Sequence, residues 1–477
     1  MNAARVARRA ASSIVPRTAD VVVIGSGIIG SSTALELVRS GKFGRVLVLD
    51  KGGAAGGGST SSSSGVCRPF YSVEDAVRFA HEGYHIWDEW EDHLGVTRDS
   101  RGMAQLRQIG GVVLVSDASE SFVTQSAACM EAVGVEHEWL DLAQTKRRFG
   151  APPAEGGLGW CLDAFAPPRL LDDPDFGCVS PTGDAVRGAL WVPECGYVSD
   201  PQLAAQNLMR AAELSGAEFV FGAEVAAIHR SPDGARVAGL ALADGSTIEA
   251  PVVINVGGPD SAYVTSLAFP HGGPGIGNDM RVQTRPLRVE VAIVPSPPDV
   301  DYAAHGPMVA DFDVGTYWRP EVGNRILIGS VEPECDEPHP FVDLPMRAGD
   351  VDLALTDQWT AQVHRTALRM PGLPIPGASA TQGLVACYDA SDDWTPIYDK
   401  SCLHGYYMAI GTSGNQFKNA GVAGQLMAAI IAECEEGRDH DVAPVQLPMR
   451  RTGTGTMDSS IFSRLRTSHS TSGTVMG

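Results

Sequence analysis

The chain contains 477 residues, of which 44% are hydrophobic and 19% charged; this balance is typical of a globular protein of two or three domains and excludes a disordered chain. The formal net charge is −21, and a surface this acidic repels phosphate backbones, which argues against a nucleic-acid partner. No apolar run approaches the roughly 18 residues that a membrane-spanning helix requires, so we expect no membrane span.

The two ends of the chain differ in composition from the rest. Residues 1–18 contain four arginines and no acidic residue, as mitochondrial presequences do. We interpret them as a flexible leader on a cytoplasmic protein, with the mitochondrial matrix as the alternative location. Residues 438–477 are predicted to be a largely flexible tail. Nine scattered cysteines without a C-x-x-C pair favour reduced thiols over a disulfide framework or a zinc ribbon.

The first ordered unit is predicted to be a strand, a glycine turn, a helix and a second strand. Residues 19–24 form a β-branched run typical of a strand buried on both faces. The turn G-S-G-I-I-G spans 25–30 and leads into a helical stretch. A second buried strand at 45–50 ends in an acidic residue. This arrangement is a βαβ unit with its glycines at the turn.

Each part of that unit has a physical role in holding a dinucleotide. Gly25 permits the tight turn, Gly27 lets the backbone approach a pyrophosphate, and Gly30 allows the helix to pack closely on the strand. The helix N-terminus then offers free N–H groups to the anion. Asp50, at the end of the second strand, can accept hydrogen bonds from ribose hydroxyls. The combination predicts a dinucleotide site.

Two later segments favour a flavin over a nicotinamide. The run G-G-G-S-T-S-S-S-S-G at 56–65 offers small hydroxyl residues that can wrap a pyrophosphate and a flavin edge, and a generic linker is out of place there. Near the C-terminus, a strand runs into the turn G-T-S-G at 411–414 and then a helix. A helix N-terminus at that position stabilises the negative charge that a flavin acquires on reduction.

A helix predicted at 74–94 contains a formal match to the zinc-hydrolase motif H-E-x-x-H. His81 and His85 lie one turn apart, with Glu82 as a possible base. Gly83 weakens a helix, no downstream segment offers an evident third ligand, and the surrounding chain already fits a dinucleotide fold. We therefore interpret the match as a coincidence, predict no metal site, and keep a zinc hydrolase only as a remote alternative.

The central part of the chain alternates between two patterns. A helix at 200–216 is followed by short strands that end in V-V-I-N-V-G-G at 252–258, which can return to the cofactor. The segments around 100–198 and 281–380 combine β-type patterns with proline-rich loops. They predict a separate sheet that covers the cofactor.

Six motifs follow one another along the chain: V-V-V-I-G-S-G-I-I-G, L-V-L-D-K-G, G-S-T-S-S-S-S-G, V-V-I-N-V-G-G-P-D-S, Y-W-R-P-E-V-G-N-R-I-L-I-G-S and G-T-S-G-N-Q-F-K-N-A-G-V-A-G. Together and in this order, they resemble the D-amino-acid oxidase superfamily of FAD-dependent oxidoreductases. The pattern is nearest to the branch with sarcosine oxidase, dimethylglycine dehydrogenase and glycine oxidase. The resemblance covers about residues 19–435. It implies an α/β fold, α+β over the whole chain, with a Rossmann-like FAD-binding domain interleaved with a mainly antiparallel substrate domain.

The resemblance also divides the chain into discontinuous domains. Residues 19–98, 199–265 and 381–437 are expected to form the FAD-binding domain. Residues 99–198 and 266–380 are expected to form the substrate domain.

Cofactor-binding residues follow from the same resemblance, position by position. They are Gly25, Gly27, Ile28, Ile29, Gly30, Asp50 and Lys51 at the first turn and second strand; Gly58, Ser59, Thr60, Ser63, Ser64 and Gly65 in the flavin-proximal loop; Val225 beside the adenine; Gly257 after the V-V-I-N-V-G-G strand; and Gly411, Gly414, Asn415, Gln416, Phe417 and Lys418 at the pyrimidine edge of the flavin.

Four residues resemble the substrate site of the sarcosine oxidase branch. Arg68 and Tyr71 match its R-x-x-Y sequence, in which the arginine pairs with the substrate carboxylate. Lys418 resembles the lysine that joins this arginine, and Tyr388 matches an active-site tyrosine. A guanidinium grips a carboxylate at two points and an ammonium adds a second charge.

Three departures from the branch bear on its chemistry. The cysteine that attaches FAD in monomeric sarcosine oxidases is replaced by Ala386, with Cys387 one residue later, and the attaching histidine of dimethylglycine dehydrogenases is replaced by Ser62. We therefore predict non-covalent FAD. Leu327 stands near the position of a lysine that speeds the reaction with oxygen, so both an oxidase and a dehydrogenase remain open.

The resemblance implies an enzyme that oxidises the C–N bond of a small amino acid, N-methylated or cyclic. The neutral amine would lose a hydride to flavin N5 and give an imine that water hydrolyses. The partners implied are a carboxylate-bearing amine substrate and oxygen or an electron-transfer acceptor; the oligomeric state stays open. The alternative is a non-catalytic flavoprotein of the same family that serves in assembly or binding.

Overall fold

A computed structural model of the protein describes residues 15–96, 99–180, 186–269, 279–336, 341–342, 347–469 and 473–476. Fourteen residues of the predicted leader, 1–14, lie outside this set, whereas the bridge between Thr18 and Glu249 ties the described end of the leader to a small sheet. Within the described residues, no helix is both long enough and apolar enough to cross a membrane. The cysteines are free thiols, as predicted.

The α-helices are α1 Ile28–Arg39, α2 Glu74–Asp88, α3 Trp90–Leu94, α4 Glu120–Val133, α5 Leu142–Thr145, α6 Pro201–Leu214, α7 Ser261–Ala268, α8 Tyr302–His305, α9 Asp357–Arg369 and α10 Ala420–Glu435.

The strands are β1 Val21–Ile24, β2 Val46–Asp50, β3 Val66–Cys67, β4 Leu106–Gln108, β5 Gly111–Val115, β6 Glu138–Asp141, β7 Gly188–Val192, β8 Gly196–Val198, β9 Glu218–Phe221, β10 Val225–Arg230, β11 Val237–Leu242, β12 Thr247–Glu249, β13 Val252–Asn255, β14 Thr284–Pro295, β15 Met308–Asp311, β16 Thr316–Glu321, β17 Arg325–Ser330, β18 Gly383–Ser391, β19 Ile397–Lys400, β20 Tyr406–Ile410, β21 Gln446–Pro448 and β22 Thr456–Asp458.

The first large sheet has six strands in the order β19-β20-β13-β1-β2-β9. Its strands are parallel except for the edge strand β19. The four-residue strand β1 is buried throughout, because α1, α6 and α10 cover one face of the sheet, while the three-stranded sheet β10-β11-β12 and α7 cover the other. Helix α1 packs between α6 and α10. The carboxyl ends of β1, β2, β13 and β20 meet at one edge, where such sheets bind their ligands.

The second large sheet has eight strands in the order β18-β14-β17-β16-β15-β5-β7-β6. Its pairs are antiparallel except for β15 with β5. Strand β14 is twelve residues long and runs beside both β18 and β17. The two sheets together confirm the predicted α/β fold with a mainly antiparallel second layer.

Two predicted segments are arranged differently in the structure. Strand β18 lies within the segment assigned to the FAD-binding domain, yet it pairs with β14 in the antiparallel sheet. The helix predicted at 74–94 is interrupted at Glu89, between α2 and α3.

The C-terminal segment is far more ordered than the predicted flexible tail. Strands β21 and β22 form an antiparallel pair. Beyond them Arg464 pairs with Asp279 and Asp399, and Arg466 pairs with Asp393, all in buried surroundings. Composition alone could not reveal these three pairs, because Asp279, Asp393 and Asp399 lie 65 or more residues away along the chain.

Candidate active site

The turn after β1 is built by direct contact of backbone on backbone. Gly25 has φ 111°, and a Cβ there would collide with the carbonyl of Val256. A Cβ on Gly30 would collide with the carbonyl of Gly25. Gly27 is the N-cap of α1 and has more room, since a Cβ there would lie 3.2 Å from Thr60 Oγ1. The surface at Gly27 is therefore kept open beside the first amides of the helix, which have no acceptor within the helix.

The serine-rich loop lies against this helix end. The Ile28 N–H donates to Thr60 Oγ1 at 3.1 Å, and the Ser59 hydroxyl donates to the carbonyl of Cys387 at 2.9 Å. The loop therefore contacts α1 on one side and strand β18 of the antiparallel sheet on the other. Ser63 Oγ accepts a hydrogen bond from the Gly65 N–H at 3.1 Å, which fixes the exit of the loop.

Asp50 is placed at the end of β2 as predicted, and it also has a structural task. Its Oδ2 accepts hydrogen bonds from the Ser26 N–H at 2.7 Å and the Ser26 hydroxyl at 2.6 Å, and its Oδ1 accepts one from the Gly52 N–H at 2.7 Å. A carboxylate has about four acceptor positions, so capacity remains for a ribose hydroxyl. Lys51 forms an ion pair with Asp260.

Val225 and Gly257 reach the same end of the parallel sheet. The Ala223 N–H donates to the carbonyl of Asp50 at 2.8 Å, which places the start of β10 beside the end of β2. Gly257 follows β13, and its N–H donates to Asn255 Oδ1 at 3.0 Å. The predicted adenosine-side residues thus converge on one strand-end edge.

The turn before α10 is held in an unusual backbone conformation. Gly411 and Gly414 have φ values of 65° and 69°, and Ser413 between them has φ 47°. A Cβ on Gly414 would collide with the ring of Tyr388. Positive φ is the natural state only of glycine, so the two glycines are required here by both backbone and space.

A buried carboxyl that sequence reasoning missed supports this turn. Asp389 on β18 accepts hydrogen bonds from the Gly411 N–H at 2.7 Å and from the Ser261 hydroxyl at 2.8 Å. Burial raises its pKa to about 7. Asp389 therefore links the two sheets below the predicted flavin edge.

Beyond this turn lies a small cavity between the two sheets. Its walls come from the serine-rich loop, β3 and the residue after it, β15, β16, the segment before α10 and the C-terminal segment. The lining residues are Ser63, Ser64, Val66, Arg68, Met308, Tyr317, Gly414, Asn415, Phe417, Lys418, Val475 and Met476.

Arg68 and Lys418, which line this cavity, both lie close to the aromatic ring of Tyr71. The Arg68 guanidinium carbon is 4.6 Å and the Lys418 Nζ is 5.0 Å from the centroid of Tyr71. Burial lowers the pKa of Arg68, and burial together with Arg68 holds the pKa of Lys418 well below its usual range. Among the described residues neither cation forms an ion pair with a carboxylate. Two buried basic groups without a counter-ion are a site for an anion, which would favour their charged forms.

Helix α2 fixes the backbone that carries Lys418. A Cβ on Gly83 would lie 2.8 Å from the Lys418 carbonyl, and the Trp87 indole N–H donates to that carbonyl at 2.7 Å. The Phe417 ring stacks on Trp87 with centroids 5.3 Å apart. The sequence showed Gly83 only as a residue that weakens a helix. In the structure, its missing side chain lets the segment that carries Lys418 approach α2.

Glu332 is the second acidic residue that sequence reasoning missed, and it lies close to the cavity. It is buried, has φ 49°, and its carboxyl accepts a hydrogen bond from the Val475 N–H at 3.0 Å. Burial raises its pKa to about 8. A non-glycine residue at positive φ together with a displaced pKa is typical of functional positions. The acidic run after β17 could have signalled it, but neither property is visible in the sequence.

The described C-terminal residues occupy the cavity in a specific way. The Val475 carbonyl accepts a hydrogen bond from an Arg68 guanidinium N–H at 3.0 Å, while the Val475 N–H donates to Glu332. Arg68 also donates to the carbonyl of Phe70. Arg68 and Glu332 therefore hold the two ends of one N–Cα–C=O unit.

The predicted Tyr388 lies beside this arrangement. The residue is half-buried, and desolvation of its hydroxyl, with Tyr317 and Glu332 nearby, raises its pKa well above the usual range. Burial also raises the pKa of Tyr71 to about 12, and its hydroxyl donates to the Asn415 carbonyl at 3.1 Å. Both phenols are therefore neutral at physiological pH and can act only as hydrogen-bonding walls.

The structure shows the surroundings of the three positions that depart from the sarcosine oxidase branch. Cys387 is buried and its pKa is raised to about 11, so its thiol is a poor nucleophile for attachment to a flavin. Ser62 ends the short 3₁₀ turn of the serine-rich loop. Leu327 is buried among the apolar residues beside the cavity.

The zinc-hydrolase alternative lacks its base. Both Glu82 carboxylate oxygens point to the C-terminal segment: they accept hydrogen bonds from the Arg451 N–H at 2.9 Å and the Thr452 N–H at 3.0 Å. Glu194, which no sequence pattern identified as a third ligand, nevertheless meets His81 and His85.

The residues present fit FAD along one continuous path. Gly27 and the α1 amides would hold the pyrophosphate, Asp50 the ribose, and the turn at 411–414 with the α10 N-terminus the flavin ring. The observation that carries this fit is the room at Gly27, where a Cβ would meet only the Thr60 hydroxyl, at 3.2 Å.

The substitution Gly27→Ala tests the fit directly. We expect the folded protein to keep its melting temperature within about 3 °C, since the added methyl meets only a hydroxyl, but to bind FAD at least about tenfold more weakly because the pyrophosphate needs that space. FAD affinity is measured by fluorescence titration of the apoprotein. Gly377→Ala is the control, as nothing lies within 4 Å of a Cβ there; equal affinity in both variants would place the pyrophosphate elsewhere.

Comparison with known proteins agrees with this geometry. The sequence pattern of the protein family described as "FAD dependent oxidoreductase" matches this chain over residues 20–430. A similar curated protein is the FAD-dependent oxidoreductase domain-containing protein 1 of Xenopus laevis, 23% identical over 436 residues that cover 88% of this chain and 80% of the relative. The protein of the same name from Bos taurus is 22% identical over 442 residues, 88% of this chain and 83% of the relative.

Two solved structures share the fold. Glycine oxidase from Geobacillus kaustophilus has a TM-score of 0.66 at 19% identity and covers 95% of this chain and 100% of its own. L-Proline dehydrogenase from P. horikoshii has a TM-score of 0.64 at 21% identity and covers 88% and 95%.

Proposed function

The chain belongs to the FAD-dependent oxidoreductase family, and from this premise we propose that it oxidises the C–N bond of a small amino acid bound between Arg68 and Glu332. The enzyme class and the FAD cofactor follow from the family. The position of the substrate and its class are the proposal.

The observation that carries the proposal is the pair of hydrogen bonds to Val475. Its carbonyl accepts from Arg68 and its N–H donates to Glu332, each at 3.0 Å. The N–Cα–C=O unit of a residue has the same connectivity as the amine, α-carbon and carboxyl of an α-amino acid. A free amino acid can make the same two contacts, with a full carboxylate on the cationic side, once Val475 withdraws.

The chain's own residues then have separable tasks. Arg68 binds the carboxylate at two points, and the anion restores the charge of Lys418 by raising its depressed pKa. Glu332, when ionised, accepts a proton from the substrate ammonium and leaves the neutral amine. Tyr71 packs beside Arg68 and Lys418, and Tyr388 packs beside Gly414, so both rings help to keep water from the cavity. FAD, when bound, supplies the acceptor for the hydride that leaves the carbon next to nitrogen; the imine product is released to water and hydrolysed.

The substrate class is narrowed by the walls of the cavity. Met308, Tyr317 and Phe417 are apolar or neutral, and among the lining residues Arg68 and Lys418 carry the cationic groups. This fits a small amino acid with an uncharged substituent, including an N-methyl or cyclic amine. The sarcosine oxidase-like assignment rests on Arg68, Tyr71, Lys418 and Tyr388, and the structural neighbours include enzymes named for proline and glycine.

Anaerobic reduction of the bound flavin tests the proposal. Sarcosine, dimethylglycine, proline and glycine are added to the holoenzyme without oxygen, and we expect one of them to bleach the visible flavin band. The matched control for proline is pyrrolidine, which keeps the ring amine but lacks the carboxylate; we expect it to react at least about 100-fold more slowly, since it cannot use Arg68. Readmission of air then distinguishes an oxidase from a dehydrogenase. A yellow protein that no amino acid reduces would contradict the proposal and favour the non-catalytic alternative.

A further inference from the structure

A group of three side chains outside the substrate cavity has no role in the chemistry above. His81 and His85 lie on α2, and Glu194 lies in the turn between β7 and β8. None of them lines the cavity. His81 is buried, whereas His85 and Glu194 are half-buried, so the group is reached from solvent on one side.

The two Nε2 atoms and the two carboxylate oxygens lie at short distances from one another. His81 Nε2 lies 2.7 Å from Glu194 Oε2 and 3.1 Å from His85 Nε2. His85 Nε2 lies 3.4 Å from Glu194 Oε1. The spacing of four residues places both imidazoles on the same face of α2, and the distant turn brings the carboxylate to meet them.

No placement of protons on the three side chains gives all three contacts a good hydrogen bond. A ring nitrogen carries either one hydrogen or one lone pair. If both Nε2 atoms donate to Glu194, two N–H groups face each other at 3.1 Å. If only one donates, its single proton must serve both the carboxylate and the other ring. Every protonation state leaves at least one of the three contacts without a good hydrogen bond.

A cation at the centre satisfies all three contacts at once. Tetrahedral zinc with nitrogen and oxygen ligands at about 2.0–2.1 Å separates the ligand atoms by about 3.3 Å. The two Nε2 atoms are 3.1 Å apart, and one ligand atom from each of the three side chains lies within 4.8 Å of the other two. Two imidazoles and one carboxylate are also a ligand set that zinc prefers, with a fourth position left for water.

We propose that His81, His85 and Glu194 form a zinc site that fastens helix α2 to the turn between β7 and β8. The site is a brace and not a hydrolase centre, because Glu82 is bound to the backbone at 451–452. Strand β8 begins two residues after Glu194 and pairs with β3, which immediately precedes Arg68. The brace therefore stiffens the region from which the carboxylate-binding arginine projects.

Metal binding to the chelator-treated holoenzyme tests the site. We expect one equivalent of Zn²⁺ per chain by titration calorimetry and by metal analysis after gel filtration. Co²⁺ should give the visible bands of a four-coordinate ion, at longer wavelength than the flavin. His85→Gln and Glu194→Gln each remove a ligand from a partly exposed position and should keep the fold. Each substitution should weaken Zn²⁺ binding by more than roughly 10–100-fold, which is the typical loss when only a residue that hydrogen-bonds a metal ligand is removed.

The control is His229→Gln, which changes an exposed histidine on β10 and should leave affinity and stoichiometry unchanged. Zinc should also raise the melting temperature of the wild type and of His229→Gln, but not of the two ligand variants. The proposal is overturned if the wild type retains no metal, or if all four proteins bind it equally. A wild type without metal would mean that the three side chains form a hydrogen-bonded cluster only.

Discussion

The substitution Arg68→Met is expected to lower kcat/KM for the best amino-acid substrate about 100- to 1,000-fold, because it removes one partner of a desolvated charge pair. Binding and orientation both depend on the two-point grip of the guanidinium, so KM should rise and kcat should fall. The measurement is the anaerobic rate of flavin reduction over a range of substrate concentrations.

The same substitution should leave the protein folded, with a melting temperature equal to or above that of the wild type. Buried arginines that stabilise this fold have carboxylate partners: Arg369, for example, contacts Asp311 at 2.7 Å and Asp313 at 3.1 Å. Arg68 instead donates to the carbonyls of Phe70 and Val475. Removing a buried charge that lacks a counter-ion relieves a desolvation cost. A residue that costs stability but supports activity is typical of a functional position.

Two further variants make the test specific. Arg68→Lys keeps the charge but not the planar fork, and it should recover only part of the lost rate. Arg210→Met changes an exposed arginine and should behave as the wild type. If Arg68→Met instead lost its FAD and its melting temperature while each remaining flavin was reduced at the normal rate, Arg68 would be a structural residue and the carboxylate grip would be wrong.

The parts of this site that could be predicted are those in which local backbone chemistry determines structure. The glycines at 25, 27 and 30 are needed within six consecutive residues, between a strand and a helix, so their spacing alone carries the geometry. The turn at 411–414 is similar, since the positive φ of Gly411 and Gly414 depends on the residues themselves. The FAD fold was predictable for this reason.

The parts that could not be predicted depend on contacts between distant segments. Glu332 becomes unusual only because burial raises its pKa and because Val475, 143 residues later, meets it. Glu194 lies 113 residues from His81, so the H-E-x-x-H motif lacked a visible third ligand. Composition made the C-terminal segment look flexible, although Arg464 and Arg466 bind buried aspartates. In each case a polar side chain gains its role from a partner that the local sequence does not contain.

The substitution Glu332→Gln should change how the reaction depends on pH. The pKa of Glu332 is raised to about 8 by burial, so its carboxyl is protonated below that pH and ionised above it. If ionised Glu332 takes the proton of the substrate ammonium, kcat/KM for the wild type rises as the pH passes through about 8. Glutamine cannot accept that proton. We therefore expect the variant to lose this rise of kcat/KM with pH. At pH 8.5 its kcat/KM should be about 100-fold lower than that of the wild type, within the range for general-base catalysis.

The control variants separate the charge of Glu332 from its backbone conformation. Glu332→Asp keeps a carboxyl at φ 49°, a conformation that aspartate tolerates, and should keep a pH limb. Glu334→Gln changes an exposed acid two residues away and should not alter the profile. Binding of acetate, seen as a shift of the flavin spectrum, should be unchanged in Glu332→Gln because acetate has no amine, but should be lost in Arg68→Met. An unchanged pH limb in Glu332→Gln would remove Glu332 from the amine side, whereas the loss of acetate binding would show that the substitution had disturbed the whole cavity.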